Sequence, residues 1–342
     1  MTDELEITID GALGCIALNR PQAINALSLD MISGILEALL RWQLDPAIGA
    51  VVFTGNGPKG FCSGGDVRAA RALVLAGAPD QADAYFATEY RMNALIAGYP
   101  KPMVTLGHGI TMGGGIGIAG HCAFRITQPG ARFAMPESAI GLFADVGVNA
   151  IVAKAPLNRA LLFLLSGVSV GPADALALGL ADAMVASERT TSLRADFVAA
   201  AGSSDPGAAL GRLLEAESIE PGEANFCALA DLLPDTSPET PAEFVDRVAE
   251  VPALAELAAL LRARSPSALT ATFYAQLEAR RLMDVGRTLA MDLRLASLMS
   301  RRADFAEGVR AVLVDKDQKP KWSPGSFDVL DPAPILKAVK GL

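Results

Sequence analysis

Ile110-Thr111-Met112-Gly113-Gly114-Gly115-Ile116-Gly117 sets three consecutive glycines shortly before a fourth. Phe61-Cys62-Ser63-Gly64-Gly65-Asp66 makes a second glycine turn earlier in the chain. Glycine lets main-chain N–H groups approach a ligand closely and adopt left-handed dihedrals. Two such turns, each feeding the start of a helix, can aim two N–H donors at a single oxygen. A thioester oxyanion or enolate needs that arrangement, and preorganised donors of this kind usually supply a large share of rate enhancement. Spacing alone favours the plainer reading, in which both clusters are close-packing turns.

Outward from these turns, strand-like and helix-like segments alternate. Leu5–Ile9 and Gly14–Leu18 read as a hairpin. Ser28 is placed to cap a helix in which Met31, Ile32, Ile35, Leu36 and Leu39 recur at helical spacing. Residues 50–54 read as a buried strand, 55–65 as a glycine-rich connection, 82–96 as a helix and 102–106 as a short strand. Gly55, Gly57 and Gly60 match a dinucleotide fingerprint, but Pro58 and the run after Gly60 do not begin a helix. A plain glycine turn is therefore the reading. Beyond about residue 199 the composition turns to Ala, Leu, Glu and Arg. Polar breaks at 202–207 and 235–241 precede predicted helices at 251–264 and 270–300. The expected organisation is an α/β core over 1–199 and a helical region over 200–342.

The third chemical element is Phe133–Gly147, which places Glu137 and Asp145 in an otherwise apolar stretch. Burial raises a carboxyl pKa and a neighbouring carboxyl raises it further, which suits acid–base or nucleophilic work. Helix-end capping accounts for both residues as well: Glu137 follows Pro136 in a first turn, and Asp145 can cap the next helix.

Composition narrows the function classes. The 342 residues are 51% hydrophobic and 20% charged, with 29 basic and 38 acidic side chains and a net charge of −9. With no Lys/Arg block, such a chain repels phosphate backbones, so nucleic acid is not an expected partner. Cys15, Cys62, Cys122 and Cys227 are too far apart for a metal or redox pair and read as small apolar residues in a reducing compartment. His108 and His121 read as structural, so no metal site is expected. The acidic Met1–Asp10 stretch resembles neither a signal nor a transit peptide, and no apolar run is long enough to cross a bilayer. The expected location is the cytoplasm.

Read together, these elements resemble the crotonase (enoyl-CoA hydratase/isomerase) superfamily, and within it the 3-hydroxyisobutyryl-CoA hydrolase branch. The resemblance is carried by Leu18–Leu27, Gly60–Asp66, Phe86–Arg91, His108–Gly115, Phe133–Gly147, Asp304–Arg310 and Val314–Trp322, the last two being particular to the hydrolase branch. It implies an α/β spiral of repeated ββα turns with a helical C-terminal portion, and hydrolysis of a short 3-hydroxyacyl-CoA in valine catabolism. It implies oxyanion N–H groups at Gly65 and Gly114, a catalytic carboxylate at Glu137 and a partner at Asp145. Glu89 would line the substrate pocket. The CoA adenine end would run along Asn25, Ala26 and Leu27 and the stretch leading into Phe61, and Gly64, Asp66 and Gly113 would also serve substrate binding. CoA would be part of the substrate, with no separate cofactor, and a homo-oligomer is compatible with the superfamily.

Hydratases of the superfamily carry a second glutamate where this chain has Gly117, which cannot transfer a proton. The hydrolases read Phe-Pro-Asp-Val-Gly-Gly-Gly where this chain has Phe143-Ala144-Asp145-Val146-Gly147-Val148-Asn149. The competing readings are a hydratase or isomerase of the same fold and a catalytically silent CoA-binding protein.

Overall fold

The computed structural model describes residues 3–234 and 236–342. Met1 and Thr2, at the head of the acidic N-terminal stretch, and Asp235, the first residue of the 235–241 break, lie outside the described residues. The chain forms two compact units. One comprises Met1–Gly65, Arg91–Phe133 and Val170–Ala224; the other comprises Asp66–Tyr90, Ala134–Ser169 and Asn225–Leu342.

The first unit is built on sheets. The strands β1 (Leu5–Asp10) and β2 (Leu13–Leu18) pair antiparallel as the expected hairpin. Further strands are β3 (Ala50–Gly55), β4 (Gly60–Cys62), β5 (Met103–Leu106), β6 (Ile110–Met112), β7 (Phe124–Thr127), β8 (Arg132–Ala134) and β9 (Ala183–Met184). One sheet has the order β1-β2-β3-β5-β7-β9, parallel from β2 onward, and a second has the order β4-β6-β8. After the hairpin, the pairs β3–β4, β5–β6 and β7–β8 each give their first strand to the larger sheet and their second to the smaller one, which is the repeated ββα pattern expected. Strand β4 lies inside the segment read from sequence as a plain connection. Three residues are too few for an alternating pattern to show.

Both faces of the parallel strands are covered, so they carry near-continuous apolar runs. Leu13, Val52, Val104 and Ile126 join Leu193, Phe197, Leu210 and Leu214 in one core cluster. The helix Leu29–Gln43 begins as predicted, with the Met31 N–H donating to Ser28 Oγ at 3.2 Å. The expected division at 199/200 is not how the chain packs. The helix Thr190–Ala201 runs across that position, and Phe197, Ala200 and Ala201 are buried in the sheet cluster. Composition changes there because the chain becomes helical, while the apolar face of this helix still completes the sheet core.

The second unit is mainly helical. Its core joins Leu161, Leu162 and Leu165 of the helix Leu157–Ser166 to Phe244, Val248, Leu261, Leu269 and Phe273. The predicted helical stretch 270–300 is two helices, Pro266–Leu282 and Val285–Ser300. Met283 closes the first in a left-handed conformation, and Asp284 caps the second by accepting the Arg287 N–H at 2.7 Å. All four cysteines are buried, in keeping with their reading as small apolar residues.

Candidate active site

The predicted site residues fall into two groups. Gly64, Gly65, Gly113 and Gly114 belong to the sheet unit, with Asn25, Ala26, Leu27 and Phe61; Asp66, Glu89, Glu137 and Asp145 belong to the helical unit.

In the sheet unit, β4 and β6 are paired in parallel, so the two glycine turns that follow them leave the same end of one small sheet. Gly113 precedes the short helix Gly114–Ala119. The turns are in close proximity: a Cβ added to Gly64 would lie 3.5 Å from the Gly114 nitrogen. A Cβ on Gly115 would lie 2.5 Å from the carbonyl oxygen of Cys62, so only glycine permits this approach of backbone to backbone. Among the described residues, no backbone carbonyl takes the N–H of Gly65 or Gly114. Leu27 is tied to the first turn through its N–H, which donates to Gly64 O at 2.8 Å.

Asn25 has no exposed surface and works as a lock. Its Nδ2 donates to the carbonyls of Asn56, Gly60 and Phe61, and its Oδ1 accepts the Arg20 N–H at 2.8 Å. The Phe61 ring is likewise fully buried. What Asn25–Leu27 and Phe61 can offer a ligand is therefore mainly backbone. Cys62 is a packed thiol whose Sγ donates to Asn25 O at 3.2 Å, and the His108 ring bonds Gly57 O at 2.8 Å. Both match their bland sequence readings.

In the helical unit, the carboxyls gather. Glu89 lies on the helix Pro79–Ala97 and is 2% exposed; Glu137 and Asp145 are 7% and 5% exposed. Glu137 sits in the first turn of the 3-10 helix Pro136–Ile140, as Pro136 suggested. Asp145 does not cap the following helix with its side chain: Gly147 is the cap residue of Val148–Ile151, and the Asp145 carboxylate instead accepts the Tyr90 hydroxyl at 2.6 Å. Asp66 caps the helix Val67–Leu75 by accepting the Ala69 N–H, and its own N–H donates to the Tyr85 hydroxyl at 3.0 Å.

Burial, then Asp145, pushes Glu89 up to about 8. Burial, then Asp145 and Glu89, raises Glu137 well above the carboxylate range. Burial lifts Asp145 to about 6, while the Tyr90 hydroxyl pulls it down. Glu137 Oε2 and Glu89 Oε1 are buried and accept no hydrogen bond among the described residues. This is the environment in which carboxyls do chemistry near neutral pH.

The Glu137 turn is held from behind by the Asp304–Arg310 motif. A Cβ on Gly308 would lie 2.4 Å from Ile140 C, so the helix Ala303–Val309 meets this turn backbone to backbone. Asp304 is fully buried; its Oδ2 accepts Ser265 Oγ–H at 2.5 Å and its Oδ1 accepts the Ser323 N–H at 2.6 Å. The sequence pattern around residue 304 is therefore a scaffold for Glu137.

A carboxyl whose pKa is raised on folding stabilises the fold only while protonated. Glu89 therefore costs stability progressively as pH rises from its unfolded value near 4.5 to about 8, and no more beyond. Glu89→Gln, which needs no proton, should gain on wild type progressively over that window, by up to about 5 kcal/mol at ~1.4 kcal/mol per pH unit. Melting temperatures from pH 5 to 9 check this; a constant gap across the range would contradict it.

The chain belongs to the enoyl-CoA hydratase/isomerase family, whose profile matches residues 13–338. Among its relatives, the protein named 3-hydroxyisobutyryl-CoA hydrolase, mitochondrial, of Xenopus tropicalis is 38% identical over 331 residues, covering 94% of this chain and 84% of that protein. Crystal structures titled carnitinyl-CoA dehydratase from Mycobacterium thermoresistibile and enoyl-CoA hydratase from Rhodobacter sphaeroides 2.4.1 are each 32% identical. They superpose with TM-scores of 0.89 and 0.90, covering 99% and 98% of this chain and 96% and 97% of those chains. The α/β crotonase fold that the resemblance implies is thereby shown. No described helix is long and apolar enough to cross a membrane.

Two contributors to the site were not singled out from the sequence. Tyr90 stood in the Glu-Tyr-Arg stretch without a role. Asp292, on the helix Val285–Ser300, has no exposed surface, and its Oδ2 accepts the Gly147 N–H at 2.8 Å. A signal for it exists: Asp292 falls in register with Leu289, Leu295 and Met299 on the buried stripe of that helix.

Proposed function

We propose that this protein hydrolyses a short 3-hydroxyacyl-CoA, with 3-hydroxyisobutyryl-CoA as the preferred member, to the free acid and CoA. The observation that carries the reading is the buried Glu137 carboxyl, with one oxygen unpartnered and Asp145 beside it as a second carboxyl. The name borne by the Xenopus relative supports the acyl group.

In this mechanism the N–H groups of Gly65 and Gly114 stabilise the tetrahedral oxyanion. Glu137 acts in its ionised form in one of two ways. It attacks the thioester carbon, expelling CoA thiolate and leaving a mixed anhydride that water opens, or it takes a proton from the water that attacks. Asp145 binds the 3-hydroxyl or orients that water. Glu89, Asn25, Ala26, Leu27, Phe61, Gly64, Asp66 and Gly113 serve substrate binding. The enzyme needs no cofactor beyond the CoA of its substrate. The reaction belongs to valine breakdown, and a cytoplasmic location is part of the same proposal, although the Xenopus relative's name specifies mitochondria.

A second reading has an observation of its own. Glu89 and Glu137 are two buried carboxyls, Glu89 adding to the upward shift of Glu137, and a hydratase uses two such groups; the superposed structures are named as a hydratase and a dehydratase. Thiol release from 3-hydroxyisobutyryl-CoA and 3-hydroxypropionyl-CoA, run beside hydration of crotonyl-CoA, separates the two. Hydration without thiol release would overturn the hydrolase reading, and silence on all three would favour a CoA-binding protein.

The pH profile tests Asp145. Glu137, which is raised well above the carboxylate range, sets the first fall of kcat/KM, and if ionised Asp145 also works the decline should steepen into a second limb as pH drops through about 6. Tyr90→Phe removes the hydroxyl that favours the anion, so the limb should move to higher pH while the alkaline plateau changes little. A limb that stays in place would remove Asp145 from the mechanism.

A further inference from the structure

The turn carrying Asp145 is held in an unfavourable backbone conformation. Val146 and Gly147 have φ of +55° and +74°. A β-branched residue in the left-handed region is strained, and it persists only where its surroundings over-determine it.

The groups bonded to this turn are contributed by several helices of the same unit. The Ala144 N–H donates to Thr272 Oγ1 at 3.1 Å, and Asn149 Nδ2 donates to Ala144 O at 2.6 Å. Tyr90 donates to Asp145 itself. A further bond, directly after the strained valine, runs from the Gly147 N–H to Asp292 Oδ2.

Asp292 is a costly choice for a merely structural acceptor, because a buried carboxyl is harder to desolvate than an amide or hydroxyl. Its Oδ1 is buried and accepts no bond among the described residues. The charged and titratable groups that act on it are Asp145 and Arg294, and it acts in turn on Tyr90.

We infer that Asp292 is a positioning residue: by accepting the Gly147 N–H it holds the left-handed turn at Val146–Gly147 and so keeps the Asp145 carboxylate against the Tyr90 hydroxyl. It does not touch the reacting atoms. The inference rests on the proposed role of Asp145, and it adds a residue that neither the glycine turns nor the carboxyl motif contains.

The test compares Asp292→Asn with Asp292→Ala in the full chain. Asn keeps a carbonyl oxygen for the Gly147 N–H; Ala removes it. Amide exchange at Gly147 reads the clamp without reference to any reaction. Protection should persist in Asn and fall at least about tenfold in Ala.

Thiol release reads the consequence. In Ala, kcat should drop about 100-fold, as for a catalytic group displaced by about an ångström, with KM changed less than about threefold. The acidic limb should also move upward as the Tyr90 bond loosens. In Asn, kcat should stay within about threefold of wild type, a rescue by geometry.

Unchanged Gly147 exchange in Ala, wild-type kcat in Ala, or an Asn variant as slow as Ala would each overturn the inference. If Ala does not fold, Asp292→Leu fills the volume without an acceptor and carries the same comparison. A wild type that releases no thiol would defeat the hydrolase reading alone, since Gly147 exchange still decides the clamp.

Discussion

Glu137→Gln is expected to lower kcat for thiol release by about 10³-fold or more, the scale at which a positioned acid–base or nucleophilic group is lost. The substitution keeps the shape of the side chain and removes only its ability to ionise. It should not unfold the protein. Burial and the neighbouring carboxyls raise the Glu137 pKa, so folding is opposed as pH rises and this carboxyl is pressed to ionise. Gln is free of that penalty, and the variant should melt at or above the wild-type temperature at pH 8. Loss of activity with stability kept would mark a reacting group. A variant with near-normal turnover would sink the assignment of Glu137, whatever happened to its melting temperature.

Gly115→Ala should be nearly as damaging by a different route. The added methyl would lie 2.5 Å from Cys62 O and 2.8 Å from Cys62 Cβ, so either the turn after β4 or the helix Gly114–Ala119 must shift. Overpacking of this kind costs about 1–3 kcal/mol of stability. The shift also separates the Gly65 and Gly114 N–H groups, and loss of one oxyanion donor typically costs about 10²–10³ in kcat. Measured per folded molecule, the fall in kcat should therefore exceed what the lost stability explains. A destabilised variant with full specific activity would leave these turns as packing devices, the reading that spacing alone favours.

Local signals were legible from the chain. Ser28 caps its helix, the hairpin at Leu5–Leu18 forms, and the fingerprint at Gly55–Gly60 runs into a strand and not a helix. These features depend on residues a few positions apart. The Glu137 turn was legible as chemistry but not as architecture, because Gly308 and Asp304, which support it, lie far along the chain. Asp292 went unread for a related reason. The register of Asp292 with Leu289, Leu295 and Met299 marks it as inward-facing, but its role is not legible until its partner, a backbone N–H at Gly147, is known. The division into units was hidden for the same cause, since sheet order and core membership are long-range properties.

The chain passes between the two units after residues 65, 90, 133, 169 and 224, and this order has a meaning for how the protein is made. Glu89, Glu137 and Asp145 leave the ribosome well before Thr272, Asp292 and Asp304. At about 5–20 residues per second, the wait from residue 145 to residue 304 is on the order of ten to thirty seconds. Through that interval the three carboxyls stand in water at their ordinary pKa values, ionised at neutral pH. Their shelter arrives last, with the helices Pro266–Leu282, Val285–Ser300 and Ala303–Val309. Completion of the fold is then also an act of proton uptake, and the completed fold should be favoured more in a slightly acidic medium than in an alkaline one.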